Sequence, residues 1–238
     1  MLTNKVYFRV FRLRYRGQHG TCFTIDIGNK QYLITAKHVV EYIVLSDRVD
    51  IYHRGKWVEL DVVLSGQSNG EIDVAVLRPS IQLSPNYPLK PTLEGIIYGQ
   101  DAYFLGFPYG LGADIGEINR DFPLPFVKRC VVSMMADSSS GETVIYLDGY
   151  NNPGFSGGPV VFCNPAMPPS ASNPFKVAAI VKGFRREDEA IYDADQRTHL
   201  TYRHNTGIIV TYGINHATDI IQSNPGGLPL PENSSFSE

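Results

Sequence analysis

The sequence predicts an all-β protein in two halves, an antiparallel barrel or sandwich architecture closed by one short helix. Three observations carry this. Apolar residues recur in many short runs of period two, and only one stretch near the end has a helical period. Loops rich in Gly, Pro, Ser and Asn separate the runs. A stretch punctuated by Pro85, Pro88 and Pro91 divides them into two series. At 238 residues the chain can fill the core of one large β domain or two small ones.

In the first series, residues 5–16 alternate, with Phe11, Leu13 and Tyr15 on one face and Arg12, Arg14 and Arg16 on the other. This reads as a half-buried strand with its arginines in solvent. Residues 20–27 and 30–35, joined at Gly28–Asn29, read as a hairpin. Residues 48–53 and 57–64 are two further strands around Arg54–Gly55, and residues 72–78 (IDVAVLR) are a buried strand with Asp73 near its start. Residues 81–93 have no steady period and suit a linker over the surface, so the N-terminal half is assigned to residues 1–93. The second half, residues 94–223, holds strands at 101–105, 126–135, 143–147, 159–162, 177–182 and 206–210. Loops at 110–125 and 165–174 lie between them. Residues 214–222 place Ile214, Ala217, Ile220 and Ile221 on one helical face. Residues 224–238 have the composition of a flexible tail.

Charged residues are 19% and hydrophobic ones 43%, a balance that fits a globular chain rather than a disordered or helical membrane-spanning one. A net charge of −3 supplies no general field for nucleic acid or an anionic membrane, so neither is expected as a partner. The arginines at 9–16 and 185–186 are the one local basis for a nucleic-acid reading. Cys22, Cys130 and Cys163 are too few and too far apart for a disulfide framework or a zinc site, and read as reduced thiols. Arginines run through the apolar positions of the first residues, MLTNKVYFRVFRLRYRG, which therefore lack a signal peptide's apolar region. With no run long enough to span a bilayer, a cytoplasmic location is expected.

The chemistry centres on residues 150–161, YNNPGFSGGPVV, where glycines flank the lone Ser156 between two strand-like runs. Glycines let the backbone fold closely around whatever the serine touches and leave amides free to face a developing oxyanion. A serine needs a base, and the base a carboxylate. His38 lies at the end of a buried strand, after small Ala36, and Asp73 opens an apolar run where an unpartnered carboxylate would be costly to bury. A histidine ring satisfies such a carboxylate and has its tautomer fixed in return.

TAKH around His38, DVAVL from Asp73 and GFSGGP around Ser156 resemble the three signatures of trypsin-like (chymotrypsin-fold) serine proteases. LITAKHVV, DVAVLRP, FLGFPYGL, LDGYNNPGFSGGPVV and TGIIVTYGINHATDII are most similar to the bacterial HtrA-like branch. The resemblance covers residues 17–221 and leaves no room for a PDZ domain after Ile221. It implies two six-stranded antiparallel β-barrels with the active site between them. His38 and Asp73 come from the first barrel and Ser156 from the second. The implied reaction hydrolyses peptide bonds through an acyl-enzyme, with Gly154, Phe155 and Ser156 forming the oxyanion hole and no metal or organic cofactor. Its partners are protein or peptide substrates. An activating protein or additional domain is a further implied partner, because relatives of this branch hold the oxyanion loop inactive until it is reordered. The alternative is a catalytically silent protease fold serving as a binding or scaffold module.

Within the resemblance, Phe155 stands where digestive relatives have an aspartate that pairs with a freed N-terminus, so activation by N-terminal cleavage is not expected. Val39 stands where secreted relatives have a disulfide-bonded cysteine, in keeping with a reducing compartment. Lys37 is given no role, and the proline-rich residues 164–173 are a candidate recognition loop. The primary pocket is expected near Tyr150 and Asn151, along Ile180, Val181, Lys182 and Gly183, and near Gly207. No charge falls clearly at its base, so an uncharged residue is expected before the cut. Substrate backbone is expected to pair with the edge at residues 181–183.

Overall fold

Each series of strands closes on itself. The computed structural model describes residues 2–137, 141–163 and 174–231. After a single helical turn, α1 (Asn4–Tyr7), come β1 (Val10–Tyr15), β2 (Gln18–Ile27), β3 (Lys30–Thr35), β4 (Ser46–His53), β5 (Lys56–Gln67) and β6 (Ala75–Pro79). They pair in the order β3-β2-β1-β4-β5-β6, and β6 returns to β3, closing a six-stranded antiparallel barrel. The second ring uses β8 (Asp101–Gly106), β9 (Phe126–Asp137), β10 (Thr143–Asp148), β11 (Pro159–Cys163), β12 (Phe175–Asp193) and β13 (Gln196–Gly213), numbered after a two-residue β7 (Lys90–Pro91). Its order is β11-β8-β9-β10-β13-β12, with β12 back on β11, and β7 joins the start of β12 in parallel. The C-terminal helix α2 (Asn215–Ser223) lays Ala217 and Ile221 against the core shared by the two rings.

Turn chemistry sets the registers. Gly28 and Asn29, at φ +59° and +57°, make a two-residue link that pairs Ile27 with Lys30. Both positions need positive φ, which Gly and Asn tolerate. Arg54–Gly55 does the same between His53 and Lys56.

The strand expected over residues 5–16 begins only at Val10, residues 5–7 lying in the helical turn α1, and three further features differ from the sequence-based expectation. First, of the arginines expected in solvent on the N-terminal strand, Arg16 is exposed but Arg12 and Arg14 are only half so. Arg12 lies 4.6 Å from the Tyr52 ring centroid and Arg14 3.7 Å from that of Trp57, so their stems and guanidinium planes cover aromatic surface. Arg9 is buried. Second, β12 and β13 run far past residues 182 and 206 as one long hairpin. Its outer part is charged on both faces and so shows no apolar period. Cross-strand pairing holds it, including Arg203 to Asp188 at 2.6 and 2.8 Å. Third, the expected flexible tail begins with an ordered stretch. Leu228–Pro229 form β14 against β3, and Leu230 is buried. Residues 232–238 and the recognition-loop candidate at 164–173 lie outside the described residues. Among the described residues Cys22, Cys130 and Cys163 form no disulfide, and burial pushes the Cys130 thiol up to about 12. Among the described residues no helix is long and apolar enough to cross a membrane.

One core histidine makes stability depend on pH. His53 is 8% exposed, its ring 5.8 Å from those of Phe11 and Phe122, and its Nδ1 has no partner. Burial, and then the charge of Arg54, lower its pKa from 6.5 to about 4. The unfolded chain therefore binds the proton first as pH falls, so stability is full above about 6.5 and drains away toward 4. We expect about 1–2 kcal/mol to be lost between pH 7 and pH 5. Urea denaturation of His53→Phe should show a flatter pH profile. Burial lowers His216 as well, so the difference between wild type and variant isolates His53.

Candidate active site

His38 is held by its neighbours. β3 ends at Thr35, Ala36 is extended, and a 3-10 turn over Lys37–Val40 buries Val39 and Val40. This anchors the turn while the His38 side chain stays 46% exposed. Asp73 lies just before β6 with its side chain 6% exposed. Both of its oxygens serve His38. Oδ1 accepts the His38 backbone N–H at 2.8 Å, and Oδ2 lies 2.5 Å from Nδ1. A carboxylate accepts, so Nδ1 carries a proton, and in the neutral ring Nε2 is then the nitrogen with the lone pair. Lys37 is spent elsewhere, its Nζ donating to the Ser68 and Gly70 carbonyls.

Ser156 is presented by a turn that tolerates few side chains. Gly154 has φ +107°, and a Cβ there would fall 2.3 Å from the Phe107 carbonyl oxygen. At Gly157, φ +83°, the Thr21 carbonyl oxygen would be 2.2 Å away. Between them Phe155 is fully buried, edge-on to Phe104 at 4.8 Å. The Pro153 carbonyl accepts the Tyr109 N–H at 2.8 Å, and in a trans peptide this turns the Gly154 N–H the other way. The N–H groups of Gly154 and Ser156 have no acceptor among the described residues.

Thr21, on β2 of the first barrel, clamps this turn. Its N–H donates to the Ser156 carbonyl at 2.8 Å and its hydroxyl to the Gly154 carbonyl at 2.7 Å, while Oγ1 accepts from the Phe107 N–H at 3.1 Å. Nothing in the strand sequence around Thr21 marks it for this task.

The structure brings His38 and Asp73 into direct contact and sets Ser156 beside Lys182. The Ser156 hydroxyl donates to the Lys182 carbonyl at 2.9 Å, and no hydrogen bond among the described residues joins it to His38. Lys182 also lines a cleft of about 560 Å³ with His38, Asp73, Gly183 and Phe184. Its Nζ donates to the Tyr212 hydroxyl at 3.3 Å.

The expected substrate-binding residues separate into two groups. Tyr150 is exposed and Gly207, at φ +78°, is half-buried. Asn151 is buried, its carbonyl accepting from Asn205. Ile180 and Val181 are fully buried, and the Val181 N–H and carbonyl are taken by Gly158 and Gly157. Their side chains belong to the core and the backbone of Val181 is already paired. The usable edge therefore begins at Lys182, where a register shift interrupts the pairing of β12 with β13, and runs through Gly183.

A family profile described as the trypsin-like peptidase domain matches residues 20–164. No curated protein matches the chain. Among solved structures, the active form of the Rv3671c protease from M. tuberculosis is 18% identical with a TM-score of 0.58, over 95% of this chain and 85% of that one. The inactive form of that protease gives 18% and 0.57, over 92% and 90%. The HtrA-type protease AlgW with tripeptide is 23% identical with a TM-score of 0.57, over 92% of this chain and 62% of that one. At these identities the likenesses speak for the two-barrel fold. The profile spans more than half of the sequence and contains the His38, Asp73 and Ser156 motifs, so the chain belongs to the trypsin-like peptidase family and is a trypsin-like serine protease.

Proposed function

We propose that the protein is an endopeptidase that cuts protein or peptide substrates through an acyl-enzyme. Ser156 is the nucleophile, His38 the base and Asp73 the residue that orients His38. The observation that carries this reading is the two-point grip of Asp73 on His38, which commits Nδ1 to the carboxylate and so makes Nε2 the nitrogen that accepts in the neutral ring. In the reaction Nε2 takes the Ser156 proton as Oγ attacks the carbonyl. It then gives that proton to the leaving amine, and water repeats the cycle. The unpaired amides of Gly154 and Ser156, with Phe155 locking the turn between them, hold the oxyanion, each donor contributing about 3 kcal/mol.

The resting serine hydroxyl bonds to the Lys182 carbonyl instead of His38. We read this as a parked rotamer. One rotation about Cα–Cβ frees Oγ, and a substrate N–H pairing with the β12 edge competes for the same carbonyl. Any latency then resides in the serine side chain. The bond from Tyr109 to Pro153 supports an oxyanion loop already set, which an activating partner would stabilise rather than build. Labelling with a fluorophosphonate tests the nucleophile without a known substrate. Adduct on wild type and none on Ser156→Ala is the expected result. A wild type that stays unlabelled, with or without added peptide, would support the silent binding module instead.

A further inference from the structure

A second cleft, of about 230 Å³, lies behind the serine turn. Asn152 and Pro153, which directly precede Gly154, form one wall. Phe184 and Arg186 of β12 and His204 and Asn205 of β13 form the other. Phe184 also lines the His38 cleft, so the two depressions meet at the β12 edge. Asn205 pins the walls together. Its Nδ2 donates to the Asn151 carbonyl at 2.7 Å and its Oδ1 accepts the Gly207 N–H at 3.0 Å. A chain lying on that edge, with its scissile carbonyl at the Gly154 and Ser156 amides, would pass this second cleft beside the bond to be cut.

The lining carries cations and no carboxylate. Arg203 is neutralised by Asp188, and His204 lies 3.2 Å from Glu189. Arg186 has no acidic partner among the described residues, and its guanidinium stacks 5.1 Å from the Phe184 ring centroid on the shared wall. The Asn152 side-chain oxygen accepts from Lys128 at 2.6 Å, and its NH2 donates to nothing among the described residues. An arginine without an acidic partner and an amide NH2 without an acceptor among the described residues, both on residues that line one small cavity, match a carboxylate.

We infer that this cleft selects an acidic side chain, Asp or Glu, at the residue preceding the scissile bond, with Arg186 as the specificity-determining cation. The inference rests on reading Ser156 as the nucleophile. It replaces the uncharged preference expected from the sequence, because the long hairpin delivers Arg186 and His204 to a place that motif spacing does not reveal.

Two measurements test it. In a cleavage library, wild type should favour Asp or Glu before the cut over Gln and Leu by about tenfold or more. Arg186→Glu should lose that preference and gain one for Lys. Arg197→Glu, the same charge change on the exposed outer hairpin, should keep it. In parallel, acetylated and amidated peptides differing only in Glu or Gln at that position are titrated into Ser156→Ala protein. The Glu peptide should bind about tenfold tighter, and Arg186→Glu should abolish the difference. Equal binding of the two peptides, or a preference unmoved by Arg186→Glu, overturns the acidic pocket even where fluorophosphonate labels Ser156. Conversely, an unlabelled wild type removes the nucleophile, and the binding arm alone then decides the pocket.

Discussion

Ser156→Ala should lower kcat by about 10⁶-fold while changing stability by no more than about 1 kcal/mol. The hydroxyl makes one hydrogen bond, to the Lys182 carbonyl, from a half-buried position, so its removal leaves the turn intact. The Thr21 clamp holds the backbone carbonyls of Ser156 and Gly154, which the substitution does not touch. Asp73→Asn separates orientation from bulk. Asparagine has a single side-chain oxygen, yet Asp73 uses one oxygen for the His38 backbone N–H and the other for Nδ1. With the amide oxygen on the backbone N–H, the NH2 faces Nδ1, which must then accept, and the proton moves to Nε2. That tautomer cannot take the serine proton, and a loss of about 10⁴-fold is expected. The two substitutions act on one unit, so the double variant should be no slower than Ser156→Ala alone. Asp73→Asn retaining activity within tenfold of wild type would sink the assignment of His38 as base.

What the sequence makes legible follows from how locally each feature is determined. Ser156 is readable because the chain must pass too close to Phe107, Thr21 and Leu105 for anything but glycine at 154, 157 and 158, so the turn prints itself as a motif. His38 and Asp73 are readable because each sits at the edge of a strand whose apolar run gives it away. Thr21 is not readable. It is one buried threonine in a strand, and its partners lie 133 and 86 residues away. The outer β12–β13 hairpin hides for a different reason. With both faces exposed it has no inside, so the period-two signal on which strand reading depends is missing. The cleft behind the serine turn inherits that blindness, since one wall is hairpin. Arg9 hides a third way: its position puts it on the face of Phe11, Leu13 and Tyr15, but its residue type normally marks the wet face, so type and position point to opposite sides.

Arg9 leads to the largest stability effect expected outside the catalytic turn. Its side chain is 1% exposed, with Nη2 2.5 Å from Asp26 Oδ2 and further bonds to the carbonyls of Thr24, Pro85 and Tyr87. The last two lie in the proline-rich segment between the barrels, so one guanidinium fastens that segment to β2. Arg9→Ala removes the charged partner of a mostly buried carboxylate and one donor from each of three carbonyls together, and a loss of about 3–5 kcal/mol is expected in urea denaturation. Against a total stability of about 5–15 kcal/mol that is a large fraction. Asp26 keeps one donor, Gln31 Nε2 at 3.1 Å, which holds the loss below the cost of a fully stripped charge. The double variant Arg9→Met, Asp26→Leu distinguishes two accounts. If the ion pair alone matters, replacing both partners with apolar groups should come close to wild type. If fastening the segment matters, the Pro85 and Tyr87 carbonyls lose their tie to β2, with Pro85 keeping the Tyr87 N–H at 2.8 Å, and about 1–3 kcal/mol remains lost. We expect the second outcome, with a matching fall in fluorophosphonate labelling, because the segment joins the barrel that carries His38 to the barrel that carries Ser156.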